Sequence, residues 1–175
     1  SGAVSRELFN VRPGAAMPHP NVDVIDRFYR AFAARDAEAM AACYAPNVHF
    51  SDPAFPDLHG DRARAMWRML CGGASDLRVE HSRVSADDTR GAAHWEAWYT
   101  FSGTGRAVHN VIDAAFRFEG GLIVDHVDTF DFHRWAGQAL GLTGRLLGGT
   151  GWLRRKVQRT AGTRLDRFIA SPARP

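Results

Sequence analysis

Apolar side chains return every three to four positions between residues 22 and 34. Ile25, Phe28, Tyr29 and Phe32 fall at i, i+3, i+4 and i+7, which is one face of a helix. Asp36 stands where an N-cap would open a second helix over AEAMAACYA, with Ala37, Met40, Ala41 and Tyr44 at the same spacing. NVHFS then reads as a short strand. Gly60-Asp61 opens a third helix, with Ala63, Met66, Trp67 and Leu70 pointing inward. From residue 77 the period falls to two. LRVEHSRV is a strand, and GAAHWEAWYTFSG is a longer one with Trp95, Ala97, Tyr99 and Phe101 on one face. Thr104-Gly105-Arg106 makes a tight connection. AVHNVIDAAFRF places Asn110, Ile112, Ala114, Phe116 and Phe118 together, Glu119-Gly120-Gly121 turns the chain, and LIVDHVDTFDF returns with Val124, His126, Asp128 and Phe130 on one side.

Three helices followed by a meander of long strands is an α+β pattern. The helices must cover one face of an antiparallel sheet. A sheet curled around them would form a cone with an internal pocket. One boundary is expected, near residue 134. Residues 1–20 read as an N-terminal tail in which Met17 is a candidate start, residues 21–133 as the domain, and residues 134–175 as a basic helical extension.

Composition narrows the function classes. An apolar share of 45% over 175 residues suits one domain with a real core. No apolar run is long enough to cross a bilayer. Cys43 and Cys71 both fall within predicted helices and read as buried free thiols, which points to a reducing, cytoplasmic location. The net charge of +3 conceals a division: residues 141–175 carry +7 and the first 140 carry −4. The basic part lacks a zinc-knuckle, helix-turn-helix or RNA-recognition signature, so no nucleic-acid partner is expected. Leu153, Val157, Ala161, Leu165 and Phe168 form one stripe there, with the basic residues mostly elsewhere. Such a helix should fold back as cover over the pocket mouth or sheet edge. Its competing reading is an arm on an anionic membrane.

The chemistry begins at Ser51-Asp52-Pro53, where a carboxylate ends a strand amid apolar residues. Such a group is a local capping device or a tuned acid/base. VIDRFYRAFAARDAEAMAACYAPNVHFSDPAF resembles the opening of ketosteroid isomerase and its NTF2-like, SnoaL-like relatives, and the later GR…FRF…G.I hairpin fits the same pattern. The resemblance spans roughly residues 20–132. It implies an NTF2-like, cystatin-like α+β roll and a homodimer through the convex sheet face, where Val111, Ala115, Val127 and Thr129 would sit. It also places Asp52 on the isomerase's general base. Phe28 stands where the isomerase has an oxyanion-hole tyrosine, and Ala114 where it has a neutral aspartic acid. Both departures argue against a literal steroid isomerase, and Tyr29, one step along the helix, does not simply replace the tyrosine.

His126 and Asp128 occupy positions that are apolar in the isomerase. Two ionisable groups on an apolar strand face are costly unless used or paired. Asp128 would orient His126, or be the acid/base itself; a structural hydrogen-bond network is the bland reading. Asn110 is a candidate donor to a substrate oxygen. Trp95 and Tyr99, with Phe28 and Ala114, would line the substrate pocket. An epoxide hydrolase of this fold would want an Asp-Arg-Asp relay, and its central Arg and Asp are not visible on the inward face. His126, Asp128 and His133 do not make a compelling metal set. No phosphate loop, dinucleotide fingerprint or Gly-x-Ser-x-Gly elbow occurs, so no cofactor is expected. The expectation is cofactor-free isomerisation, cyclisation or dehydration of a small apolar oxygenated molecule. Its rival is a non-catalytic ligand-binding or assembly module.

Overall fold

The structure is a computed structural model that describes residues 16–73 and 75–171. The expected extension at the start of the chain lies largely outside these. The chain opens with α1 (Pro20–Ala33) and α2 (Ala37–Ala41), the latter capped by Asp36, whose side chain accepts from Ala39 N at 3.0 Å. After β1 (Tyr44–Ser51) and the two-residue β2 (Leu58–His59) comes α3 (Asp61–Gly73). Four strands complete the sheet: β3 (Arg78–Ala86), β4 (Arg90–Phe101), β5 (Arg106–Glu119) and β6 (Leu122–Thr129). Three helices end the chain: α4 (Phe132–Leu140), α5 (Leu142–Leu147) and α6 (Gly151–Ala170).

The six strands lie in the order β2-β1-β6-β5-β4-β3. The expected sheet was wholly antiparallel, whereas β1 runs parallel to β6 and makes the sheet mixed. The two are far apart in sequence, with the α3–β5 stretch as the crossover, so no hairpin constrains their direction. Two smaller expectations also shift. The second helix stops at Ala41 and Tyr44 already opens β1, so Cys43 lies in the turn between them. Both cysteines are nonetheless buried free thiols.

Strand alternation behaves as its period requires. Along β5, Val108, Asn110, Ile112, Ala114, Phe116 and Phe118 are buried, while Asp113, Ala115, Arg117 and Glu119 are exposed. The inward face packs on α1 and α3 through Ile25, Phe28, Tyr29, Phe32, Met66 and Trp67. A second cluster joins Val108 to Phe132, Trp135, Ala136, Ala139 and Leu153, which attaches α4 and α6 to the sheet. Gly144 permits the α4–α5 corner, because a Cβ there would overlap the Ala136 carbonyl.

The last helix reaches from the second cluster to α3. Leu153 is buried in the second cluster, and Leu165 in the main core. Between them Gln158 Nε2 donates to Pro53 O at 3.1 Å, and beyond them Asp166 pairs with Arg62 of α3 at 2.7 Å. The stripe does not bury throughout, since Phe168 stays exposed. Among the described residues no helix is long and apolar enough to cross a membrane.

Candidate functional site

Pro53 and the following turn fix Asp52 at the end of β1. Asp52 Oδ1 accepts from Ala54 N at 2.7 Å and Phe55 N at 2.6 Å, and Asp52 N donates to Phe55 O at 2.9 Å. The carboxylate is therefore a capping device. It is a tuned group as well. Burial raises its pKa to about 7 against the opposing backbone hydrogen bonds, with the Asp128 charge adding to the rise and Arg154 of α6 reducing it. Asp52 itself is half-buried, so it keeps an open side. Asp57, five residues further on, binds His49 and His59.

A directed chain of hydrogen bonds leads to Asp128. Trp67 Nε1 donates to Tyr44 Oη at 2.8 Å. Tyr44 Oη lies 2.7 Å from His126 Nδ1, and His126 Nε2 lies 3.0 Å from Asp128 Oδ1. An indole N–H can only donate, so the Tyr44 hydrogen is free to go to Nδ1. That leaves the proton of a neutral imidazole on Nε2, facing Asp128. Trp95 Nε1 donates to the same Asp128 Oδ1 at 3.2 Å. Both nitrogens of His126 are thus engaged, and its ring is fully buried among Phe28, Phe50, Trp67 and Phe116. Neither ring nitrogen of His126 is left over, so His126 stands behind Asp128 and holds it.

The other expected residues fall as follows. Asn110 is 8% exposed on the same inward face, and its amide makes no hydrogen bond among the described residues. Tyr99 is half-buried, its hydroxyl receives the Trp135 N–H at 2.9 Å, and burial raises its pKa with a contribution from Asp52. Ala114 is the cross-strand partner of Asp128, and both are buried. Phe28 does not line the open side of Asp52; it belongs to the aromatic wall around His126. His133 sits on α4 with its Nε2 at 2.8 Å from Arg145 O, apart from His126 and Asp128.

Three contributors were not expected. Tyr44 and Trp67 carry the relay, and both had been read as ordinary helix-face residues. The third is Tyr29. Its hydroxyl is fully buried and has no hydrogen-bond partner among the described residues. Burial raises its pKa strongly and the Asp128 charge adds to this, so it stays a protonated donor without an acceptor. Tyr29 packs against Trp95 and Phe116, within the same inner surface. A buried orphan hydroxyl was the signal to look for, and it is invisible in a periodicity.

Two clefts lie elsewhere. One of ≈ 610 Å³ runs between β5 and α4–α5 and is lined by Arg106, Asp131, His133, Arg134, Gln138 and Arg145. Another of ≈ 470 Å³ follows α1. Neither includes Asp52 or Asp128.

A family model described as the SnoaL-like domain matches residues 25–126. The chain belongs to the SnoaL-like family. No curated relative matches the sequence. Among solved structures, TsrD from Streptomyces laurentii is 20% identical with a TM-score of 0.61, the match covering 73% of this chain and 100% of that one. An NTF2-like protein of unknown function from Burkholderia pseudomallei is 20% identical with a TM-score of 0.60, covering 69% and 98%. An LEH-like epoxide hydrolase from M. tuberculosis is 18% identical with a TM-score of 0.59, covering 73% and 96%. At these identities the likeness establishes the NTF2-like fold. This SnoaL-like, NTF2-like family includes cyclases, isomerases and epoxide hydrolases. The matched segment of this SnoaL-like chain stops at His126, so α4 to α6 lie beyond the region that defines the family.

Proposed function

We propose that this SnoaL-like protein is a cofactor-free acid/base catalyst acting on a small apolar molecule that carries oxygen. The observation that carries the reading is the half-buried Asp52, held near neutrality in its titration beside a second carboxylate, Asp128. A transfer group is most effective when its pKa lies near the working pH. Asp52 Oδ1 is taken up by the turn, which leaves Oδ2 to move a proton. In an isomerisation it would take a proton from carbon next to a carbonyl and return it to another carbon. The enolate oxygen formed in between needs donors, and the Tyr29 O–H and the Asn110 amide supply them. Asp128, fixed by His126 and Trp95, would orient a substrate hydroxyl. In a dehydration it would receive the proton while Asp52, protonated, assists departure of the hydroxyl as water. Trp95 and Tyr99 offer flat apolar walls.

The test is hydrogen exchange in D2O, followed by NMR, on a panel of cyclic ketones and enones, with a parallel panel of hydroxyketones scored for loss of water. The expected result is catalysed exchange or elimination that falls about 10²- to 10⁴-fold in Asp52→Asn. A second reading, a non-catalytic ligand-binding or assembly module, is favoured by one feature: α6 lies against the Asp52 turn, with Gln158 bound to Pro53 O. Ligands that bind in the same NMR panel without any catalysed exchange or elimination would decide for the module.

A further inference from the structure

On the outer face of the sheet, opposite the inward-facing side chains, β1 and β2 place two histidines side by side. The antiparallel register makes His49 and His59 direct partners, and their rings lie 4.7 Å apart. Asp57, two residues before His59, points back at both: its Oδ1 is 2.8 Å from each Nε2. The three donor atoms all lie within 4.8 Å of one another. A fourth residue sets the geometry. Asp125 of β6 holds His49 Nδ1 at 2.8 Å, so the ring is oriented with Nε2 toward Asp57 and His59. A carboxylate behind a histidine ring is the usual second layer of a metal site, where it fixes the ring and strengthens the ligand.

From this arrangement we propose a binding site for a divalent transition metal ion, with His49 Nε2, His59 Nε2 and Asp57 as ligands and Asp125 as a positioning residue. Two imidazoles and one carboxylate suit Zn²⁺, Co²⁺, Ni²⁺ or Cu²⁺ and not the oxygen-seeking Ca²⁺ or Mg²⁺. Two carboxylates facing two imidazoles also gather negative charge that a dication neutralises. Ligand bonds of about 2.0–2.1 Å in a tetrahedral site separate donor atoms by about 3.3 Å. The present contacts need to open by only about half an ångström to reach that, and the side chains of His59 and Asp57 are 67% and 69% exposed, so they are free to turn. Three protein ligands leave a further position open to solvent. The ion would tie β2 to β1 and so clamp the turn from Asp52 to Asp57.

The experiment is a Co²⁺ titration of the full chain, free of any affinity tag, followed by visible absorption, with Zn²⁺ competition and thermal unfolding alongside. One equivalent should bind saturably, give the absorption bands of cobalt in a low-coordinate nitrogen and oxygen site, and be displaced by Zn²⁺, with a higher unfolding temperature in excess metal. His59→Ala, on an exposed side chain that the core does not need, should abolish this. Asp125→Asn should weaken binding about 10- to 100-fold. His94→Ala, in the separate His94–Asp113–Glu96 group on the same face, should leave it unchanged. Absence of saturable binding at millimolar metal overturns the proposal. So does binding that survives His59→Ala, or that is lost in His94→Ala.

Discussion

Tyr44 Oη lies 2.7 Å from His126 Nδ1, and this contact joins the start of β1 to the middle of β6 across the parallel pair. It decides which nitrogen of His126 carries the proton and therefore what Asp128 receives. Tyr44→Phe removes the donor to Nδ1 and the acceptor of the Trp67 N–H together. Each buried group left without a partner costs about 1–3 kcal/mol. With two groups left, the variant should lose about 2–6 kcal/mol of stability, seen as a lower unfolding midpoint with an unchanged denaturant dependence. An unchanged midpoint in chemical unfolding would show that the relay does not hold the core.

Asp52 should make stability depend on pH in a particular direction. Its pKa is raised from 3.8 to about 7 on folding, so between those values the folded chain holds a proton that the unfolded chain releases. Stability from this group is therefore largest at low pH, falls as pH rises through the window, and levels off above about 7. His49, whose pKa is raised by the Asp125 and Asp57 carboxylates against the opposing effect of burial, loses stabilisation in the same direction. The difference between wild type and Asp52→Asn isolates Asp52. Calorimetry from pH 4.5 to 8 should show the variant gaining on the wild type as pH rises, and a flat difference would mean an ordinary Asp52.

Catalysis should separate Asp128 from the residue behind it. His126→Gln keeps a donor near Asp128 Oδ1 but cannot reproduce the ring held by Tyr44. We expect a partial loss of rate for His126→Gln and a much deeper one for Asp128→Ala, measured on whichever substrate the exchange panel yields. Equal losses would return His126 to the reacting set.

How much of this could be read from the chain depends on whether a feature is periodic. The alternation along β5 identified its inward residues without error, because one buried face leaves no second register. The helix α1 was read correctly as a helix, but Tyr29 was set aside. That helix is buried between the sheet and α3, so its apolar face is wide enough to take Phe28 and Tyr29 together. Asp52, Asn110, Asp128 and His126 were all legible as candidates from strand ends and register. Which of His126 and Asp128 stands behind the other was left open there, because two side chains on one face differ in reach and in hydrogen-bond direction. The parallel β1–β6 pairing and the His49–His59 contact were equally hidden. The first depends on a distant partner, and the second on a strand of two residues, too short to have a period.

Self-association through the outer sheet face follows from a different set of residues. Val111, Val127 and Ala115 leave apolar surface there beside Trp98, which stacks on His109 with centroids 4.5 Å apart. The patch is not purely apolar as expected, since His94–Asp113 and His109–Glu96 pairs interrupt it. We propose that two copies pair through this face, with these polar pairs at the contact. Light scattering at micromolar concentration should give twice the chain mass of 19.3 kDa. Val127→Arg, which sets a charge amid the patch, should give the monomer, and a monomeric wild type would remove the proposal.

The final prediction concerns α6. Its apolar positions are divided between two tasks: Leu153 closes the cluster of α4 and β5, and Leu165 enters the main core with no exposure at all. Gln158 lies between them and ties the helix to the Asp52 turn. A membrane arm would have no need to commit its leucines in this way. Leu165→Ala should destabilise the chain by about 2–5 kcal/mol, the range for emptying a buried leucine site. Gln158→Ala, which loses one half-exposed hydrogen bond, should cost less than about 1.5 kcal/mol. If α6 also covers the carboxylates, Gln158→Ala should change ligand affinity more than it changes stability. Both are measured on the full chain, by chemical unfolding and by titration with a ligand from the NMR panel. An unfolding midpoint unmoved by Leu165→Ala would mean that α6 does not contribute to the core.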